Sequence, residues 1–304
     1  MARVELAPAA PDELPGACRL ALGHAPAHEL ESRAELLHAA ALRGDFDPIG
    51  LIVARSGGAA VGAIAAQVLP GGTGVLLPPF APDSELSDAL VRAALEHFRR
   101  AEVTIAHCAL GADESALAVP LLKAGFQLVT QLVHLLRRET LLPELASEAP
   151  SGLKFIPYTA DLASAFGETL LRTYIGSPDL PEATVDRPAS QLLAGYRHGQ
   201  PDPPRWWLVE GRAGELGGVL ILNELDASAA LEVVYLGIVP EQRRKGYGRA
   251  LIRHAIAESH KAGAAYVGLT VDERNTPALN LYRSCLFRIC GSQRLYLMRV
   301  PPIA

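Results

Sequence analysis

No Cys-x-x-Cys pair occurs among the four cysteines, Cys18, Cys108, Cys285 and Cys290, of this 304-residue chain. That absence argues against a zinc ribbon or a thioredoxin-like redox motif, and buried, reduced thiols are the simplest reading. An excess of positive charge is missing too: 28 lysines and arginines face 33 aspartates and glutamates, for a net charge of −5. Phosphate-backbone binding needs a basic face, so nucleic acid is not an expected partner. The opening Met-Ala-Arg-Val-Glu-Leu-Ala-Pro has an acid and a proline where an export signal has an unbroken apolar run, so a cytoplasmic location is expected. Residues 56–82 carry no charge at all, a length sufficient to cross a membrane. Gly57-Gly58, Pro70-Gly71-Gly72 and Pro78-Pro79 interrupt that stretch, and a lipid-facing helix could not satisfy its backbone through such breaks. Two buried strands around a Gly-Gly turn are predicted there, and no membrane partner.

With 49% hydrophobic and 20% charged residues the composition is that of a globular protein, and the length suggests two domains of about 150 residues each. Helical periodicity marks Asp12 to Leu22, Ala27 to Leu42 and Ser84 to Arg100, with Leu30, Leu36, Leu37 and Leu42 expected on one packed face. Strand signals mark Leu51 to Ala54, Ala60 to Leu69, Val103 to Cys108 and Phe126 to Leu136. A linker-like stretch follows at 140–152, and the pattern then begins again. At a constant offset of 161, Phe126 falls on Phe287, Ala89-Leu-Val-Arg92 on Ala250-Leu-Ile-Arg253 and Pro79 on Pro240. One register across separate blocks indicates an internal repeat. The expected domains are therefore 1–145 and 146–304.

The most informative stretch is Tyr235 to Leu251, where an apolar strand enters a basic glycine turn and then an amphipathic helix. Gly246 and Gly248 would let backbone approach an anion, the new helix offers unpaired N–H groups, and Arg243, Arg244, Lys245 and Arg249 add charge. Arg243-x-x-Gly246-x-Gly248 is neither a P-loop nor a dinucleotide fingerprint. It resembles the acetyl-CoA pyrophosphate loop of the GNAT N-acetyltransferase superfamily. Downstream, Asn275, Ala278, Tyr282 and Phe287 resemble that family's N-x-x-A-x-x-x-Y-x-x-x-G-F pattern, with Leu286 where glycine is usual. The two motifs together span about the last 70 residues.

The resemblance implies a fold, an activity and a site. Two tandem α/β (α+β) domains are expected, each a mixed, mostly antiparallel sheet flanked by helices. The activity implied is acetyl transfer from acetyl-CoA, without a metal, to the primary amine of a small molecule or peptide in a direct ternary complex. Tyr282 would be the general acid. Glu232, eleven positions before Arg243, would be the base, directly or through water. Alternation puts Glu232 on a mostly apolar strand face, where desolvation would raise its pKa. Ile238, Val239, Arg243, Arg244, Lys245, Gly246, Tyr247, Gly248, Arg249 and Asn275 would hold acetyl-CoA. Arg243 is expected to be exposed, so that its reversal would weaken binding without unfolding the chain. Tyr174, Trp206, Trp207, Glu224 and Asp226 are candidates for the acceptor side.

In the first repeat the register sets Gly71 at the Glu232 position, Leu121 at Tyr282, Glu85 at Gly246 and Ser87 at Gly248. Asp83, Glu85 and Asp88 would repel a pyrophosphate, so one working site per chain is expected, in the second repeat. A non-catalytic acetyl-CoA sensor or a protein-interaction module is the competing class, and monomer or homodimer is left open.

Overall fold

The computed structural model describes residues 4–138, 152–184, 187–197, 205–225 and 230–302. In chain order these form β1 (Val4–Pro8), α1 (Leu14–Ala21), α2 (Ala27–Arg43), β2 (Leu51–Ser56), β3 (Ala59–Leu69), β4 (Thr73–Leu76), α3 (Ser84–Arg100), β5 (Ile105–Gly111), α4 (Ala118–Lys123) and β6 (Gln127–Arg138). The second repeat supplies β7 (Lys154–Pro157), α5 (Ala163–Tyr174), α6 (Pro181–Thr184), α7 (Ala189–Tyr196), β8 (Trp206–Glu210), β9 (Leu216–Leu225) and β10 (Ala230–Ile238). It ends with α8 (Tyr247–Lys261), β11 (Tyr266–Asp272), α9 (Thr276–Ser284) and β12 (Arg288–Arg299). The uncharged stretch forms β3 and β4 rather than a pair about Gly57 and Gly58, whose φ values of 60° and 84° suit the tight turn from β2 into β3.

The chain divides into two compact units, Met1–Val129 with Gln293–Ala304, and Thr130–Ser292. This departs from a boundary at 145, and strand pairing gives the reason. In the first unit the order is β1-β2-β3-β4-β5-β12, antiparallel except for β4 beside β5. In the second it is β7-β8-β9-β10-β11-β6, antiparallel except for β10 beside β11. Each repeat thus lends its last strand to the other: β12 runs Gln293 to Arg299 against β5, and β6 runs Leu132 to Arg138 against β11. The linker-like residues 140–151 lie outside the described residues. The offset of 161 holds from end to end between β5 and β11 and between β6 and β12.

In the first unit Leu90, Phe98, Leu121, Phe126 and Tyr296 are among the side chains of one core. A second core lies under α1 and α2, with Cys18, Leu51 and Val53. The apolar face expected of α2 is used only in part: Leu37 packs, together with buried Ala34 and with Ala40 and Ala41, while Leu36 and Leu42 are 65% and 72% exposed. In the second unit, alternation sends Trp206, Leu208, Val219 and Ile221 into the core under α5 and α7. It sends Trp207, Val209, Leu220 and Leu222 into the core under α8 and α9. With both faces covered, these strands read as continuous apolar runs. The cysteines are free thiols; three are buried, but Cys290 is exposed.

Candidate functional site

Two parallel neighbours part company in the second unit. β10 and β11 pair only from Ala230–Tyr266 to Val233–Leu269, although β10 continues to Ile238 and β11 to Asp272. The β9 register shifts between Val233 and Tyr235, a bulge at the point of parting. Beyond it β10 still pairs with β9, and Val239 N–H donates to Gly217 C=O at 3.0 Å. Alternation therefore turns the N–H groups of Leu236 and Ile238 toward the side that β11 has left. Val239, buried and already bonded, is backing for this edge rather than part of it.

The basic turn stands at the end of that edge. Arg244 and Gly246 both adopt left-handed backbone, with φ of 61° and 87°, a succession that turns neighbouring N–H groups into a common concavity. Gly246 precedes the first residue of α8, and no side chain caps that helix. Its first-turn N–H groups are thus presented to an anion, as the cradle requires. Arg244, Lys245 and Arg249 are exposed around it; Lys245 Nζ donates to Gln242 at 3.2 Å and Arg249 to Ser284 Oγ at 3.1 Å. The other members of the motif face inward. Tyr247 is buried, its hydroxyl donating to Glu215 at 3.1 Å, and an added Cβ on Gly248 would lie 3.0 Å from Leu281.

Arg243 differs from its expected role. Its guanidinium is half-buried and donates to the carbonyls of Ile238, Thr173, Ile175 and Gly176 at 3.1, 2.9, 2.7 and 3.2 Å. The charge therefore fastens the end of α5 to the end of β10. It is not a free cation beside the cradle.

The helix α9 carries the second motif. Asn275 caps it, its Oδ1 accepting from Ala278 N–H at 3.2 Å. The other end closes as a Schellman motif: Phe287 N–H donates to Tyr282 C=O and Leu286 N–H to Arg283 C=O, both at 3.1 Å. Tyr282 and Phe287 rings lie 6.0 Å apart, the apolar contact that accompanies such caps. Leu286 takes the left-handed conformation usual for glycine, with φ of 67°. Tyr282 is buried, and burial raises its phenol well above the ordinary range, so it remains a proton donor.

Residues 170–287 match the Acetyltransferase (GNAT) family. The chain is 31% identical over 121 residues to streptothricin acetyltransferase of Streptomyces lavendulae, covering 40% of this chain and 64% of that one. It is 30% identical over 121 residues to the [ribosomal protein bS18]-alanine N-acetyltransferase of Escherichia coli K12, covering 37% of this chain and 82% of that one. The chain belongs to the GNAT acetyltransferase family. A tandem GNAT protein from the clavulanic acid biosynthesis pathway shares the fold, with a TM-score of 0.61 at 17% identity over 99% of this chain and 100% of that chain.

The remaining candidates are more widely spread. Glu232 stands where β10 is still paired, opposite Gly268 and Asn223. Burial lifts its carboxyl above the usual range, as expected, with His134 close enough to offset part of that effect. Trp206 and Trp207 are buried in the two opposite cores, so neither is open to a ligand, and Glu224 is exposed in an ion pair with Arg205 at 2.6 Å. The strand alternation that exposes one of two adjacent residues in a half-buried sheet buries both here. Asp226 lies outside the described residues. Tyr174 does reach the region, in a trio with Tyr196 and Tyr235: the Tyr174 and Tyr196 hydroxyls are 2.8 Å apart, and both rings tilt against Tyr235 at 5.2 and 5.6 Å.

The sequence reading missed Asp179. This residue lies in the loop before α6, its Oδ1 accepting from the N–H of Asp272, the last residue of β11, at 3.0 Å. Asn275, the cap of α9, lies close enough to favour the charged form of Asp179. The missed signal was small: an aspartate in a proline-bearing loop between two expected helices.

The first unit shows what the GNAT anion site has become there. Asp83 caps α3, its Oδ1 accepting from Leu86 N–H at 2.8 Å. A carboxylate of the chain itself occupies the helix end that stays uncapped in the second unit. The closing cap of α4 is retained with glycine: Phe126 N–H donates to Leu121 C=O at 3.1 Å, and Gly125 has φ of 102°. Among the described residues, no group of three or more potential ligands could hold a metal, and no helix is long and apolar enough to cross a membrane.

Proposed function

We propose that the second unit catalyses transfer of an acetyl group from acetyl-CoA to a primary amine of a small molecule or peptide, in a direct ternary complex. The observation that carries this reading is the parting of β10 from β11, which leaves an unpaired strand edge ending at an uncapped helix N-terminus. The edge at Leu236 to Ile238 suits the amides of pantetheine, and the turn from Arg244 to Gly248 suits the pyrophosphate. Bound there, acetyl-CoA supplies a thioester carbonyl, which Ile238 N–H is placed to polarise. Tyr282, held neutral by burial, donates a proton to the departing sulfur. Glu232, directly or through water, accepts one from the attacking nitrogen.

Residues of the first repeat, expected as 1–145, are assigned no acetyl-CoA of their own, because Asp83 already fills the corresponding helix end. Streptothricin and the alanine of a ribosomal protein are the acceptors named by two relatives, and both names support an amine here. The test is thiol release from acetyl-CoA across a panel of amines, with calorimetric binding of acetyl-CoA measured in parallel. Amine-dependent release that Tyr282→Phe lowers is the expected result. Binding without release for any amine would leave a sensor or interaction module as the better reading.

A further inference from the structure

Asp179 is a half-buried carboxylate that makes no ion pair among the described residues. The obvious partner, Arg274, is spoken for: it donates to both oxygens of Asp272 at 2.6 to 3.1 Å and to both oxygens of Glu182 at 2.6 and 2.9 Å. Asp272 is held further by Thr130 Oγ1 at 2.6 Å and Leu180 N–H at 3.2 Å. These bonds fix the loop to the end of β11, and Leu180 accepts a left-handed φ of 45° as a result. Such strain in a non-glycine residue persists only where the surroundings impose it, and it is concentrated at functional positions. Asp179, the residue before Leu180, accepts from Asp272 N–H, which alternation turns away from β6 and toward the gap between β10 and β11.

The groups facing Asp179 come from every side of that gap. Tyr196 of α7, Tyr235 of β10 and Tyr282 of α9 all lie within its electrostatic reach, as do Asp272 and Arg274. Tyr235 is fixed by Thr173 Oγ1 at 2.7 Å and by the two rings tilted against it. A half-buried carboxylate with tyrosines near it on three elements is suited to an organic cation: aromatic rings attract it and the carboxylate neutralises it. Burial, reinforced by the charge of Asp272, holds the Asp179 carboxyl above its ordinary range, which a base needs if it is to take a proton from an ammonium.

We propose that Asp179 anchors the acceptor as a protonated aliphatic amine among Tyr196, Tyr235 and Tyr282, and takes the proton that makes it a nucleophile. This rests on the acetyl-transfer reading and divides its proton traffic. The ammonium gives one proton to Asp179. The neutral nitrogen then forms its bond to the acetyl carbon as the carbon–sulfur bond breaks, and its second proton leaves through Glu232 to water. Asp179 passes its proton to water, and Tyr282 protonates the sulfur and is recharged from water. Ammonium and thioester become amide and thiol, and one proton is released.

The experiment compares amines matched in shape but not in basicity: primary aliphatic amines, protonated at pH 7.5, against alkoxyamines, neutral at that pH. In Asp179→Asn, which keeps the shape and can still accept from Asp272, kcat/KM for the aliphatic amines is expected to fall on the order of 10²-fold or more. Activity on alkoxyamines and calorimetric affinity for acetyl-CoA should stay near wild type, and Asp179→Glu should recover part of the aliphatic activity. The rise of kcat/KM with pH should move to higher pH in Asp179→Asn. Equal losses for both amine classes, or an unchanged aliphatic activity and pH profile, would overturn the assignment of Asp179 while leaving acetyl transfer intact. A wild-type chain that binds acetyl-CoA and turns over no amine would overturn both.

Discussion

Arg243 donates from its guanidinium to the backbone carbonyl of Thr173, 70 positions earlier in the chain, at 2.9 Å. Three further carbonyls share the same cation, so the arginine of the glycine motif is a clasp between α5 and β10. Arg243→Gln should cost about 1–3 kcal/mol, because hydrogen bonds to a charged donor are lost and half-buried carbonyls are left without it. Thermal denaturation checks this. Lys245→Ala, at an exposed position on the cradle, should leave the melting temperature nearly unchanged and lower acetyl-CoA affinity in a salt-dependent way. If the two variants exchanged these phenotypes, the roles given to the two side chains would be reversed.

Leu286 holds a conformation that costs a leucine roughly 1–2 kcal/mol. Leu286→Gly removes that strain but adds backbone freedom to the unfolded chain, worth about 0.5–1 kcal/mol in the other direction. A net gain of about 0.5 kcal/mol is expected, with the complementary Gly125→Leu destabilising the first unit. Denaturant midpoints at constant slope would measure both.

His254 stacks on Phe155 at 3.9 Å and meets the edge of Trp207 at 4.7 Å. Burial lowers its pKa to about 4, below the unfolded value near 6.5. The fold therefore prefers the neutral ring, and the unfolded chain binds the extra proton between those values. The contribution of this residue is full above pH 6.5 and is lost as pH falls toward 4. His254→Phe should flatten the acid side of the stability curve, removing a slope of up to about 1.4 kcal/mol per pH unit. A variant curve parallel to wild type between pH 4 and 6.5 would refute it.

Tyr282→Phe keeps the ring that packs on Phe287 and removes only the hydroxyl. It is expected to lower kcat by about 10²- to 10⁴-fold with little change in stability. A matching loss of melting temperature would make the residue structural.

Most elements could be read from the chain because local signals and tertiary packing agree. Ser84 to Arg100 has its cap, its period and its buried face in one stretch, and the helix forms over those residues. What stayed hidden depends on distance in sequence. Nothing near Arg243 announces that its partners are carbonyls at 173, 175 and 176, so charge alone suggested an exposed phosphate ligand. Asp179 has the same difficulty: its neighbours come from β10, β11, α7 and α9. Two adjacent tryptophans gave no hint that a sheet covered on both faces would bury both. The repeat was legible as a register, but a register cannot say which repeat a strand will pair with.

That pairing affects synthesis. Residues 293–299 close the sheet of the first unit, yet they are translated after all of the second. Until they emerge, β5 has an unpaired edge, the kind of surface that other chains can capture. A first half that waits for the last strand cannot mature on the ribosome ahead of the rest. Two halves that read in sequence as successive repeats would acquire their native structure together.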